Sequence, residues 1–310
     1  MSEALPHRAP LNPASSGSHA ATNPGGAAPP APEVCPPHLE AISFFDSLTH
    51  ITADGSWLGN TRRDARRERL LAELEQCAPA RACLVAIAGV IDNETVLETA
   101  KQHPDQFVPV GSINPVTAAS EREIAKAVAH LAGQGFAGLK LHPRLNGYDP
   151  LDPKVMCAVR AAGDQGLVVF LDTLFRQPGR ATRNAPDVVD ALAVAAPHTH
   201  MILLHGGGSQ LLAVSEVVAV HPHLTLDLSF TIHRFSDSSV EADLRFLMRT
   251  FDRRMVVGSD FPEYHPLATR DRVHELCEGL DPVKPANVRS ANLECLLAPW
   301  FAKHRSKTHH

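Results

Sequence analysis

Along residues 39–301, short apolar runs rich in β-branched residues alternate with longer amphipathic stretches. The runs ISFFDSL (42–48), ACLVAI (82–87), FVPVGSI (107–113), AGLKLH (137–142), LVVFLD (167–172), MILLHG (201–206), LTLDLS (224–229) and MVVGSD (255–260) have the length and composition of buried strands. Between them the 3.6-residue period predicts helices over 63–77, 94–102, 119–134, 153–165, 185–196, 209–220 and 240–251, with two more at 266–278 and 285–298. Ser120 followed by Glu123 is a capping-box spacing at the start of one of them. Near-continuous apolar strands, each followed by a helix, indicate a parallel sheet covered on both faces. Eight such units in one domain predict an α/β (β/α)₈ TIM barrel. An open doubly wound sheet would need a Gly-rich phosphate loop after the first strand, and DSLTHITADGSWLG is not one.

Composition narrows the picture further. Lys and Arg number 29 against 34 Asp and Glu, a net charge of −5, which argues against a nucleic-acid partner. No apolar window is long enough to span a membrane, and the N-terminus lacks the pattern of a secretory signal. Six scattered cysteines without a CxxC pair read as reduced thiols of a cytoplasmic protein. Residues 1–38 carry 9 of the 25 prolines among Ala, Gly and Ser, and are expected to form a disordered tail. Residues 302–310 are polar and expected to fray.

In such a barrel, chemistry collects at the C-terminal ends of the strands. The candidate polar residues there are Asp46 and His50 on the first strand, Lys140 and His142 on the fourth, and Asp172 on the fifth. His205 follows on the sixth, Asp227 and Ser229 on the seventh, Ser259 and Asp260 on the eighth. Burying these groups unpaired would cost several kcal/mol each, so they are expected to face one another or a ligand. Arg144, Arg176, Arg183 and Arg234 lie in the following loops, where a guanidinium can clamp a carboxylate. His233, beside Arg234, is a candidate proton shuttle and substrate contact. Two His-x-His pairs, His198/His200 and His221/His223, precede strands and are expected on the opposite face.

The Asp-x-x-x-His element of strand one, GLKLHP on strand four, HGG on strand six and GSDFP on strand eight together resemble the amidohydrolase superfamily, in its amidohydrolase-2 branch of hydrolases, lactonases and decarboxylases. The resemblance spans about residues 42–297 and implies a barrel with one or two divalent metals at its mouth and the strand-eight Asp as general base. Carried over residue by residue, it implies His50, Asp172, His205 and Asp260 as ligands of a divalent metal (Zn or Mn), and Asp260, His205, Lys140 and His142 as catalytic groups. Arg144, Arg176, His233 and Arg234 become the substrate contacts. The family's first strand-one imidazole is replaced by Leu48, and its strand-five His by Asp172. Three readings follow: a hydrolase of a small carboxylated or cyclic substrate, with or without metal, a non-oxidative decarboxylase, or a non-catalytic binding barrel. The partner expected is a small-molecule substrate, and a homodimer is left open.

Overall fold

The apolar runs become eight strands: β1 (Phe44–Thr49), β2 (Ala80–Val85), β3 (Phe107–Ser112), β4 (Gly138–Leu141), β5 (Val168–Asp172), β6 (Met201–Leu204), β7 (Leu224–Asp227) and β8 (Met255–Val256). The computed structural model describes residues 43–175 and 184–305. Each strand pairs in parallel with the next in chain order. β8 is shorter than the sequence run because its backbone turns to β1 beyond Val256. The Ser47 N–H donates to the Val257 carbonyl at 3.0 Å, the His50 N–H to that of Phe261 at 2.9 Å, and Thr49 bridges Phe261 in parallel. These contacts bring the sheet round to a nearly closed barrel.

The helices are α1 (Arg67–Glu75), α2 (Asn93–Gln102), α3 (Glu121–Gln134), α4 (Pro143–Asn146), α5 (Pro153–Asp164), α6 (Ala185–Ala195), α7 (Leu211–Val220), α8 (Thr231–Arg234), α9 (Ser239–Thr250), α10 (Pro266–Leu276), α11 (Val283–Ala286) and α12 (Asn292–Arg305). The Ser120 side chain accepts from the Glu123 N–H, and the Glu123 carboxylate reaches back to the Ala119 N–H at 2.8 Å, one residue before the usual partner. α12 continues to Arg305, so the chain is helical beyond the barrel end expected at 301. None of the helices is long and apolar enough to cross a membrane among the described residues.

Alternate residues of each strand feed two apolar layers. Leu84, Leu139, Leu171 and Leu203 face outward to helix residues such as Leu70, Val128 and Val189. Phe45, Val85, Phe170, Leu204 and Val256 face inward, together with Leu293, Leu297 and Phe301 of α12. Phe45, Val108 and Val168 come from strand starts, so α12 covers the N-terminal end of the barrel. The C-terminal end is left for the loops. Both His-x-His pairs precede strands, and His221 bonds Asp190 of α6 at 2.7 Å, away from that end.

Candidate active site

Six of the candidate side chains, His50, Lys140, His142, Arg144, His205 and Asp260, line one cavity of about 150 Å³ at the C-terminal end. Each is placed by the residue that ends its strand or opens the next loop. His50 follows β1. Its Nδ1–H donates to the Val85 carbonyl at 2.8 Å, which leaves Nε2 facing Asp260 Oδ1 at 3.6 Å. The ring also stacks on Trp57, centroids 5.2 Å apart, and the Trp57 indole donates to Glu263 at 2.7 Å. Burial, with the Lys140 charge nearby, pushes His50 down to about 3, so its ring is neutral.

Asp172 ends β5 and has no solvent exposure. Its Oδ2 stands 3.3 Å from His142 Nε2, 3.3 Å from His205 Nε2 and 3.4 Å from Arg144 Nη2. Burial alone would raise this carboxyl, but the His142, His205 and Arg144 neighbours hold it well below the ordinary range. His142 itself is lowered by burial, with Lys140 and Arg144 acting in the same direction against the pull of Asp172. His205 goes the other way. Burial favours its neutral form, yet the hydrogen bond to Asp172 and the charge of Asp260 outweigh burial and raise it. Geometry points the same way: Nδ1 lies 3.1 Å from the Ser229 carbonyl and Nε2 3.3 Å from the Asp172 carboxylate, two acceptors that favour the protonated ring.

Asp260 is pushed up to about 6 by burial, against the charges of His205 and Lys140. Lys140, 1% exposed, is brought down to about 8 by burial, against the carboxylates of Asp172 and Asp260. It stays largely an ammonium at neutral pH. His205, Phe230 and Asp260 all hold positive φ (66°, 60° and 54°), a conformation non-glycine residues adopt at a cost and one that concentrates at functional sites. Beneath them Asp227 ties the strand ends together. It accepts from the Ser47 and Ser229 hydroxyls and from the His205 N–H at 3.1 Å.

The sequence expectations divide here. Leu48 joins the inward apolar layer, fully buried. His233 does not line the cavity: its Nε2 meets Thr269 Oγ1 of α10 at 2.8 Å and its ring stacks on Tyr264 at 4.4 Å, so α8 turns it toward α10 and the loop before it. Arg234 lies outside this cavity as well, in a neighbouring one. Arg144 does reach the cavity, and its Nε is buried without a hydrogen-bond partner. Arg176 and Arg183 lie outside the described residues. Glu263 was missed; its only sequence signal is its place in GSDFPE, three residues after Asp260.

The expected metal site fails a test of its donors. Among the described residues, no group of three or more His, Cys, Asp or Glu side chains is arranged to hold a metal ion. Leu48 supplies no lone pair. Asp172 Oδ2 is already faced by two imidazoles and a guanidinium at 3.3–3.4 Å. A largely protonated Lys140 shares the cavity and repels a dication. The residues His50, Asp172, His205 and Asp260 do converge, but in contact with one another and beside a lysine.

The family model for amidohydrolases, amidohydrolase-2 type, matches residues 55–291. The chain belongs to the amidohydrolase-2 family. No curated protein matches it. Among solved structures it is similar to an uncharacterised TIM-barrel protein of Bordetella bronchiseptica, with 20% identity and a TM-score of 0.69 over 83% of this chain and 99% of that one. A second is a probable 2-pyrone-4,6-dicarboxylic acid hydrolase of Acinetobacter baumannii with citric acid bound, at 15% identity and TM-score 0.61 over 83% and 99% of the two chains. A third is a 5-carboxyvanillate decarboxylase of Novosphingobium aromaticivorans complexed with manganese and 4-hydroxy-3-methoxy-5-nitrobenzoic acid, at 12% identity and TM-score 0.59 over 82% and 96%. At these identities the likeness speaks for the fold. The family nonetheless contains hydrolases, decarboxylases and metal-bound members, and the amidohydrolase-2 scaffold is where all of them work.

Proposed function

We propose that this amidohydrolase-2 protein is a hydrolase that opens an ester or lactone of a small carboxylated substrate by attack of an activated water, without a metal. The observation that carries the reading is Asp260: a carboxylate pushed up to about 6, facing the neutral Nε2 of His50 and sharing a cavity of about 150 Å³ with Lys140. That value places a general base near neutral pH, where such catalysis is most effective. Ionised Asp260 takes a proton from water as the water oxygen bonds to the substrate carbonyl carbon. The Lys140 ammonium and the His205 imidazolium stand where negative charge develops on the carbonyl oxygen, fixed before the reaction rather than reorganised during it. Asp172 favours the charged form of His205. As the carbon–oxygen bond of the ester breaks, the leaving oxygen recovers the proton from Asp260, and the products are an acid and an alcohol or enol. The unpartnered Arg144 Nε–H offers the substrate carboxylate a buried donor. The hydrolase likeness to a dicarboxylate-acting structure points the same way.

The test is turnover, followed by NMR, on a panel of carboxylated lactones, esters and aromatic acids, with metal content measured by mass spectrometry on untagged protein. Expected are ring opening or ester hydrolysis, no loss on chelation, and an about 10²–10⁴-fold lower kcat in Asp260→Asn, the span of a general base. One equivalent of zinc or manganese whose removal abolishes turnover would overturn the metal-free reading. Release of carbon dioxide in place of hydrolysis would move the protein to the decarboxylases.

A further inference from the structure

A second cavity, of about 400 Å³, lies beside the first, and Leu174 and Phe230 line both. It is walled by Thr173–Phe175 after β5, by Gly207 and Gly208 in the turn after β6, and by α8. The turn can lie this close only because position 208 is glycine: its φ is +63°, and a Cβ there would meet Leu174 Cδ2 at 2.8 Å. The inner cavity alone falls below the about 300–1,000 Å³ of ordinary ligand sites, and the two together fall inside that range.

The chemistry of the second cavity is one-sided. Among the described residues its lining contains no Asp or Glu and one formal charge, Arg234. Most of its other polar side chains are already engaged. Thr173 Oγ1 donates to the Leu204 carbonyl at 2.6 Å and accepts from the Gly207 N–H at 2.7 Å. Gln210 donates to Asn184 at 2.8 Å and accepts from the Ala185 N–H at 3.0 Å. Ser209 and Arg234 remain. The Arg234 guanidinium lies 5.8 Å from the Phe235 ring centroid, and no ion pair is seen for it among the described residues.

We propose that this cavity is a distal anion subsite: the substrate is elongated, with its reacting carbonyl in the inner cavity, its chain passing Leu174 and Phe230, and a second carboxylate held by Arg234. The proposal rests on the hydrolase reading for the inner cavity and adds a length and a second charge to the substrate. Arg234 then determines specificity without touching the reacting bond.

Calorimetry on the full chain tests it with three diacids, succinate, adipate and suberate, against butyrate, hexanoate and octanoate. The expected result is a diacid preference of about tenfold or more that appears only with the longer pairs, the gain a charge-assisted hydrogen bond brings. Arg234→Gln removes the preference while leaving monoacid affinity unchanged, and Arg234→Lys retains part of it. A diacid preference that survives Arg234→Gln, its absence at every length, or no binding of either series overturns the proposal. These readouts need no turnover, so failure of the hydrolase assay with an intact Arg234-dependent preference would sink the chemistry and not the subsite.

Discussion

Asp46 is a carboxyl with half of its oxygens satisfied. Oδ1 accepts from the Leu48 N–H at 3.1 Å and the Ser259 N–H at 2.8 Å, and Oδ2 has no hydrogen-bond partner. Burial pushes it up to about 7, with the nearby Asp227 acting in the same direction, against the hydrogen bonds from Ser259 and Leu48. The folded state therefore holds this proton more tightly than the unfolded chain, whose carboxyl titrates near 3.8. Its stabilising contribution is full below that value and is lost as pH rises through about 7. In Asp46→Asn the Oδ1 acceptor survives and the titration disappears, while a buried amide N–H is left unpaired at a cost of about 1–3 kcal/mol. Urea unfolding at pH 5 and pH 8 should show wild type losing more stability between the two than the variant does. Parallel pH profiles would mean that Asp46 titrates as an exposed acid. In the metal-free reading proposed above, the Lys140 ammonium among carboxylates supplies the positive charge of the site.

At the scale of elements, β1 and β8 meet through a glycine. A Cβ at Gly258 would stand 2.6 Å from the Leu48 N and 2.7 Å from Ser47 Oγ, atoms of the strand that completes the barrel. Gly258→Ala should thus destabilise by about 1–3 kcal/mol through overpacking against backbone, read as a lower urea midpoint. It should also disturb Ser47, whose hydroxyl serves Asp227. An unchanged midpoint would mean that the seam opens freely. The elements themselves were legible in the sequence, because buried parallel strands are apolar runs and their helices carry a clear period. The strand-end residues His50, Lys140, His142, His205 and Asp260 were legible for the same reason: a polar group closing an apolar run has few places to go. What was not legible depends on contacts distant in sequence. Trp57 on Glu263 joins residues 206 apart. His233 and Arg234 are adjacent in sequence, yet α8 turns one toward Thr269 and the other toward the second cavity. The metal expectation rested on single residues that match the family; only their mutual geometry shows that Asp172 Oδ2 faces two imidazoles and a guanidinium.

Across the whole molecule, stability and chemistry occupy opposite ends of the barrel. The N-terminal end is sealed by Leu293, Leu297 and Phe301 of α12, packed on the inward layer of the strands. The C-terminal end carries every charged group of the two cavities. Sites far apart with no shared partners contribute additively to free energy. Leu297 is 1% exposed, so Leu297→Ala removes buried surface and leaves a cavity, at about 2–5 kcal/mol. In a domain of this size each kcal/mol lowers Tm by roughly 2–4 °C. The expected outcome is a clearly lower Tm with adipate and suberate affinities unchanged from wild type. Arg234→Gln should show the mirror image, an unchanged Tm with the diacid preference gone, because Arg234 is exposed and contributes no core packing. Calorimetry and thermal unfolding on both single variants and the double variant would check the separation. If Leu297→Ala weakened suberate binding several-fold, the plug would be coupled to the mouth through the strands, and the inward layer of Val85, Phe170 and Leu204 would be the route to examine.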